Sequence, residues 1–110
     1  MPIEKINTSF EMTCKYGNLE LAKYLLFDKN IINADLEKCG RASIINACYG
    51  KHNEVVKFLL DGKDLTKHVS VNVNHGSLLT IAVDSHNIEL LNYLLDKNNK
   101  KMSLNQNNDE

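Results

Sequence analysis

The side chains with the richest chemistry in this 110-residue chain are three cysteines and four histidines. Zinc sites need paired ligands at close spacings such as C-x2-C. The nearest approach to such a pair is Cys48 with His52, and a helix break predicted at Gly50 separates them. We therefore expect no metal site and no cofactor. An odd number of cysteines at unrelated spacings favours free thiols in a reducing compartment, with Cys14 and Cys48 packed in the core.

The remaining histidines suggest no site either. His52 falls at a predicted helix turn, as does Asn18, and both side chains are expected to satisfy backbone groups there. His68 and His75 lie in a predicted connector, and we assign them no chemistry.

Three glutamates, Glu20, Glu54 and Glu89, recur at spacings of 34 and 35 residues. Their regular recurrence marks them as residues of helix first turns, where the helix dipole favours a carboxylate, rather than as an acid–base pair. The sequence has no glycine-rich phosphate loop and no nucleophile with an identifiable base. We predict that the chain is not an enzyme.

Each of these glutamates begins the same seven-residue pattern, which reads acid, two apolar, polar, aromatic, two aliphatic. The copies occupy residues 20–26, 54–60 and 89–95. A fixed period of this size indicates a tandem array of units, none of which can bury its apolar face alone. Each copy has the apolar spacing of an amphipathic helix. Its aromatic residue, which is Tyr24, Phe58 or Tyr93, is expected to pack between units.

A shorter helix is predicted before each of these helices. In the first unit, Thr8 and Glu11 have the spacing of a capping box, which predicts a helix over residues 9–16 that Gly17 ends. The corresponding helix of the second unit is predicted over residues 43–49. Two helices joined by so few residues lie antiparallel, so each unit is a helical hairpin.

The connectors between units are predicted to be irregular, with a tight turn at Gly40. Val69, Val71 and Val73 alternate with polar residues, which predicts a short extended segment. We divide the chain into an N-terminal lead (1–7), three repeats (8–39, 40–74 and 75–97) and a disordered polar tail (98–110).

The charge balance is close to neutral, with 13 basic and 14 acidic residues. No excess of positive charge draws the chain to a phosphate backbone or an anionic lipid surface, so we expect neither nucleic acid nor a membrane as a partner. No apolar run has the length of a secretory signal or a membrane span. We expect an intracellular protein, cytoplasmic rather than nuclear.

Residues 40–60 follow the pattern G-x-T-P-L-H-L-A-A-x-x-G-H-x-E-V-V-K-L-L-L without a gap, and residues 7–26 and 76–95 fit the same frame. In this the chain resembles ankyrin repeats. The resemblance implies an all-α fold, an ankyrin-like repeat solenoid of stacked antiparallel helix pairs with short connector loops. The chain departs from the family pattern because the proline and histidine of T-P-L-H are missing and the connectors are slightly longer.

The resemblance also implies a function. We expect a non-catalytic protein–protein interaction module that binds an unidentified partner protein on the concave face of the stack. The implied contact residues are Lys15, Tyr16, Glu37, Lys38, Arg41, Tyr49, Asn74, Asp84 and Ser85, with Asn7, Gly50 and Gly76 beside them.

A second interpretation is a structural segment, or a fragment of a larger array, without its own ligand. The chain is expected to be a monomer, or a weak dimer through the exposed terminal repeat. If Tyr24, Ile88 and the face of residues 90–95 are largely covered within the monomer, the module is self-sufficient. A wide exposed apolar strip at the third unit would instead indicate missing repeats or a dimer.

Overall fold

Six helices account for most of the residues that the computed structural model describes, which are residues 3–65, 68–69 and 71–96. The helices are α1 (Ile3–Tyr16), α2 (Leu19–Phe27), α3 (Leu36–Tyr49), α4 (Asn53–Asp61), α5 (Val71–Asp84) and α6 (88–96). These described residues contain no strand. The predicted all-α fold is confirmed, whereas the predicted tail at 98–110 lies outside the described residues.

The helices are arranged as three consecutive pairs, which we call unit 1 (α1 and α2), unit 2 (α3 and α4) and unit 3 (α5 and α6). Within units, α1 packs against α2 and α3 packs against α4. Between units, α3 packs against both α1 and α5, so it lies at the centre of the stack. Leu25, Leu59 and Leu94 occupy the same place in the second helix of each pair, and all three are buried. The stack therefore has one continuous apolar core.

The turn inside each pair has the same hydrogen bonds in all three units. One residue adopts the left-handed conformation, and the next residue donates its N–H to a carbonyl five residues earlier, which is the Schellman arrangement. The left-handed residues are Gly17, Lys51 and His86, with φ of 80°, 61° and 58°. The donors are Asn18 to Thr13 at 3.2 Å, His52 to Ala47 at 2.9 Å and Asn87 to Ala82 at 2.8 Å. The break predicted at Gly50 is confirmed, because α3 ends at Tyr49 with Gly50 as its C-cap, and the left-handed residue is the next one, Lys51.

The residue after each turn caps the second helix in units 1 and 3. The Oδ1 of Asn18 accepts from the N–H of Leu21 at 3.0 Å, and the Oδ1 of Asn87 accepts from the N–H of Leu90 at 3.1 Å. The role predicted for Asn18 is confirmed. The prediction for His52 is wrong, because its side chain makes no capping hydrogen bond.

The His52 ring lies instead against the two glycines of the neighbouring turns. A Cβ atom placed on Gly17 would collide with the ring, and one placed on Gly50 would lie 2.6 Å from the ring Cδ2. The ring therefore packs against two positions where any side chain would displace it. This contact joins the turns of units 1 and 2.

The first helix of each unit is longer than predicted. Thr8 lies inside α1, so the capping box is wrong, and the described part of the predicted lead is helical, with Ile6 buried. In unit 2, Asp35 is the N-cap of α3, and its Oδ1 accepts from the N–H of Glu37 at 3.0 Å. The predicted extended segment is also wrong, because α5 begins at Val71.

Gly40 is a buried residue of α3 rather than the predicted tight turn. A Cβ atom at this position would lie 2.8 Å from Cγ2 of Val69. A larger residue here would therefore have to displace the Val69 side chain of the second connector.

Both connectors attach to the preceding helix in the same way. The N–H of Ala34 donates to the carbonyl oxygen of Leu25, and that of Val69 donates to Leu59, each at 3.0 Å. The residue before each donor reaches the end of the same helix through its side chain. Asn33 Nδ2 donates to the Asp28 carbonyl at 2.9 Å, and His68 Nε2 lies 2.6 Å from the Gly62 carbonyl. His68, to which we assigned no chemistry, therefore has the same structural role in the second connector as Asn33 has in the first.

Candidate functional site

Two hydrogen bonds fix α1 and α3 side by side and parallel. Near the start of α1, the Oδ1 of Asn7 accepts from the N–H of Asp35 at 2.8 Å. Further along, Asn46 Nδ2 of α3 donates to the carbonyl of Glu11 at 3.4 Å. The exposed sides of α1 and α3 therefore form one continuous surface. Asn7 itself is buried, so this predicted surface residue has a structural role.

The predicted contact residues of unit 1 lie at the exposed end of α1. Tyr16 is 69% exposed and Lys15 is exposed beside it. Met12, one turn earlier, is also exposed. An aromatic ring, a thioether and a cation therefore lie together on this side of the helix.

The predicted residues of unit 2 lie on α3. Lys38, Arg41 and Tyr49 follow one another at helical spacing on the side opposite the buried residues of that helix, and Tyr49 is 61% exposed. Glu37 and Lys38 precede the helix predicted for this unit, but they belong to the first turn of α3, and both are exposed. Their positions are therefore set by a helix, which is more rigid than a loop.

The predicted residues of unit 3 contribute less. Asp84 is exposed at the end of α5, whereas Ser85 is half-buried and its Oγ donates to the carbonyl of Ile81 at 2.8 Å. The side chain of Asn74 and the environment of Gly76 lie outside the described residues. We name the exposed residues Lys15, Tyr16, Lys38, Arg41 and Tyr49 the α1–α3 face.

The three cysteines are buried and free. Burial raises the pKa of Cys14 and Cys48 to about 12 and that of Cys39 to about 11, while a hydrogen bond to Ser43 lowers it at Cys14 and Cys39. The core positions predicted for Cys14 and Cys48 are confirmed. Within the described residues, no three His, Cys, Asp or Glu side chains come together as metal ligands.

A groove of about 510 Å³, which was not predicted from the sequence, opens where units 1 and 2 meet, on the side away from the turns within each unit. It lies between the end of α2, the start of α3 and the segment after α4. Its lining includes the apolar side chains of Phe27 and Leu36 and the acidic residues Asp35 and Asp64. The groove depends on where α3 begins, which is why the sequence did not reveal it.

Lysine–aromatic contacts connect the second helices of successive units, and these too were not predicted. The Nζ of Lys23 lies 5.4 Å from the centre of the Phe58 ring, and that of Lys57 lies 5.3 Å from the centre of the Tyr93 ring. Lys57 also forms an ion pair with Glu89 at 2.9 Å, which lowers the pKa of that carboxyl. The recurrence of lysine three residues after Glu20 and Glu54 was the available signal.

Three stacked helix pairs with identical turns are the architecture of the family that the sequence matches. The family model for ankyrin repeats, in three copies, matches residues 10–108. The chain belongs to the ankyrin-repeat family. Ankyrin repeats are generally protein-interaction modules, and the family is typically non-enzymatic.

Searches of curated proteins and of solved structures returned no match. None of the helices in the described part of the chain has the length and apolar content needed to cross a bilayer.

Proposed function

We propose that this ankyrin-repeat protein binds a partner protein across the concave side of its stack, through the α1–α3 face. The observation that carries the proposal is the exposure of Tyr16 and Tyr49 on two helices held parallel by hydrogen bonds. Tyrosine and arginine are over-represented among residues that contribute most to binding energy, and Arg41 lies on the same face. A rigid helical surface also loses little conformational entropy on binding.

The charges on this face indicate the chemistry of the partner. Lys15, Lys38 and Arg41 are exposed cations on the same two helices as the tyrosines, and one exposed carboxylate, Glu37, lies beside Lys38 in the sequence. A partner segment that carries carboxylates beside an apolar side chain would complement both features. The same cations would make association slower at high salt.

The test is affinity capture from the native cell with the wild-type chain and with the Tyr49→Ala, Arg41→Ala double variant. We expect proteins retained by the wild type to be lost with the double variant, and circular dichroism to show unchanged helix content. A matched control removes an exposed apolar side chain and a cation in the connector after α2, at Ile32 and Lys29. A partner that survives the double variant and is lost with the control would place the interface elsewhere.

A second candidate function is a structural segment of a larger assembly, and exposed apolar residues at both ends of the stack favour it. Leu21 and Tyr24 are exposed on unit 1, and Ile88 and Leu95 are exposed on unit 3. The aromatic trio is therefore only partly in the core, because Tyr24 is exposed while Phe58 is buried. Sedimentation equilibrium tests this function. Association that Leu95→Ser and Ile88→Ser abolish would support it, and a monomer at high concentration would contradict it.

A further inference from the structure

The contact between units 2 and 3 shows how this molecule holds a lysine. Glu89 and Tyr93 lie one turn apart on α6. Lys57 of α4 lies between them, with its Nζ 2.9 Å from the carboxylate and 5.3 Å from the ring centre. An ammonium group gains from both contacts, because the carboxylate neutralises it and the ring face attracts it.

The contact between units 1 and 2 repeats the aromatic half of this arrangement. Lys23 of α2 lies over the Phe58 ring of α4, at 5.4 Å. Phe27, one turn after Lys23, meets the same ring edge to face with 6.3 Å between the ring centres. In both contacts, therefore, a lysine of the preceding unit's second helix covers the aromatic ring of the next unit.

The first unit has the same set of residues on α2. Glu20, Leu21 and Tyr24 occupy the places of Glu89, Leu90 and Tyr93. We call these three residues the α2 site. Leu21 and Tyr24 are 42% and 49% exposed, whereas Leu90 and Val55, which correspond to Leu21, are 0% and 1% exposed.

We propose that the α2 site binds an amphipathic helix of another protein, with a lysine of that helix between Glu20 and Tyr24. The helix that covers the equivalent site inside the molecule supplies the template, so the occupant is defined by its chemistry. It carries a lysine for the carboxylate and the ring, and aliphatic side chains that cover Leu21.

A second copy of this chain does not supply that lysine from its own terminal helix. The residue of α6 that corresponds to Lys23 and Lys57 is Asn92, an uncharged amide. Stacking unit 3 of one copy on unit 1 of another would place this amide over Tyr24. The occupant is therefore a different protein.

This site is independent of the α1–α3 face. Tyr24 is on α2, whereas Tyr16 and Tyr49 are on the first helices of their units. The two proposals therefore succeed or fail separately, because Tyr49→Ala and Arg41→Ala change no residue of the α2 site, and Tyr24→Ala and Glu20→Gln change no residue of the α1–α3 face.

The experiment is a titration of the full-length, isotope-labelled protein with two helical peptides, followed by amide chemical shifts. The first peptide has the sequence of Asn53–Asp61, side-chain stapled to hold the helix, and the second has glutamine in place of its lysine. We expect shifts centred on Glu20, Leu21 and Tyr24, and about fivefold weaker binding of the glutamine peptide.

Variants of the protein complete the test. Tyr24→Ala and Glu20→Gln should each weaken binding of the lysine peptide severalfold, and the dispersion of the amide spectrum reports that each variant is folded. Tyr16→Ala, which removes another exposed tyrosine, should leave the affinity unchanged.

Three results would overturn the proposal. They are equal affinity for the two peptides, no shifts at the α2 site at millimolar peptide, and shifts centred on Glu89 and Tyr93, which would mean that the peptide displaces α4. Self-association that Tyr24→Ala removes would also overturn it, because the occupant would then be a second copy.

Discussion

Asn53 and Asn87 face each other across the boundary between units 2 and 3, and each amide donates to the oxygen of the other, at 3.2 and 2.8 Å. Asn87 also accepts from the N–H of Leu90 as the cap of α6. One side chain therefore serves both the helix start and the contact between units.

The first prediction concerns this pair. Asn87→Ala should destabilise the protein by about 2 kcal/mol, because it removes a helix cap and an inter-unit hydrogen bond together. Asn53→Ala should cost about 1 kcal/mol. Urea unfolding measures both, and the double variant should cost less than the sum, since the two share an interaction. Asn92→Ala, at an exposed position, is the control.

The second prediction concerns the left-handed turn residues. Lys51→Gly and His86→Gly should each stabilise the fold by about 0.5–1 kcal/mol, because a residue with a Cβ is strained at positive φ. Gly17→Ala should destabilise it, both through φ and through collision with the His52 ring. Thermal unfolding measures these changes. A lower Tm for both glycine variants would show that the turns are not strained.

The third prediction concerns Gly40. Alanine ordinarily favours a helix over glycine by about 1 kcal/mol, but here its Cβ would lie 2.8 Å from Cγ2 of Val69. Gly40→Ala should therefore destabilise the fold by about 1–2 kcal/mol. Adding Val69→Ala should restore part of the loss, and chemical denaturation of the single and double variants checks this. A stabilising Gly40→Ala would mean that the connector moves aside freely.

The fourth prediction concerns the ion pair between Lys57 and Glu89. Lys57 lowers the pKa of the Glu89 carboxyl, so the pair stabilises the fold above the pKa of the unfolded chain. This contribution is lost as pH falls through the lower pKa of the folded state. The stability difference between wild type and Glu89→Gln should thus be present at pH 7 and vanish in acid. A difference that is constant with pH would exclude the ion pair as its cause.

The fifth prediction concerns the thiols. Burial raises the pKa of Cys14 and Cys48 from 9.0 to about 12, so the folded state holds them protonated where the unfolded chain ionises. Stability should be fully present below pH 9 and fall as pH rises further. Iodoacetamide should react slowly with the native protein at pH 8 and rapidly in urea, since the thiolate is the reactive form. Mass spectrometry follows the labelling, and fast labelling of the native state would contradict the burial.

The second helices could be predicted closely from the sequence. The second copy of their seven-residue pattern occupies residues 54–60, and α4 is Asn53–Asp61. The pattern is informative because it alternates apolar and polar residues at helical spacing and recurs three times.

The first helices were predicted too short, by six residues in α1, where Thr8 was taken as a cap, and by seven in α3, where Gly40 was taken as a turn. In α3 the buried positions are 39, 40, 43, 44, 47 and 48, a regular helical period that begins at Cys39. Gly40 interrupted the sequence pattern but not the helix, since the space it needs is set by Val69, which is 29 residues away. A contact of that kind is not visible in local sequence.

The candidate contact residues were predicted unevenly for the same reason. Tyr16 and Tyr49 follow directly from helix ends that glycines mark, and both are exposed. Asn7 was expected on the contact surface by resemblance to ankyrin repeats, whereas its side chain is buried and accepts from the N–H of Asp35. The lysine–aromatic contacts depend on the alignment of one unit with the next, which the sequence of a single unit does not determine.

The position of α3 between α1 and α5 has a consequence for how this protein fails. In a repeat stack each end unit has one interface with a neighbouring unit, whereas the middle unit has two. A substitution that disrupts the packing of α3 would leave units 1 and 3 as isolated helix pairs, which bury too little apolar surface to fold alone. The array is therefore fragile at its middle and tolerant at its ends.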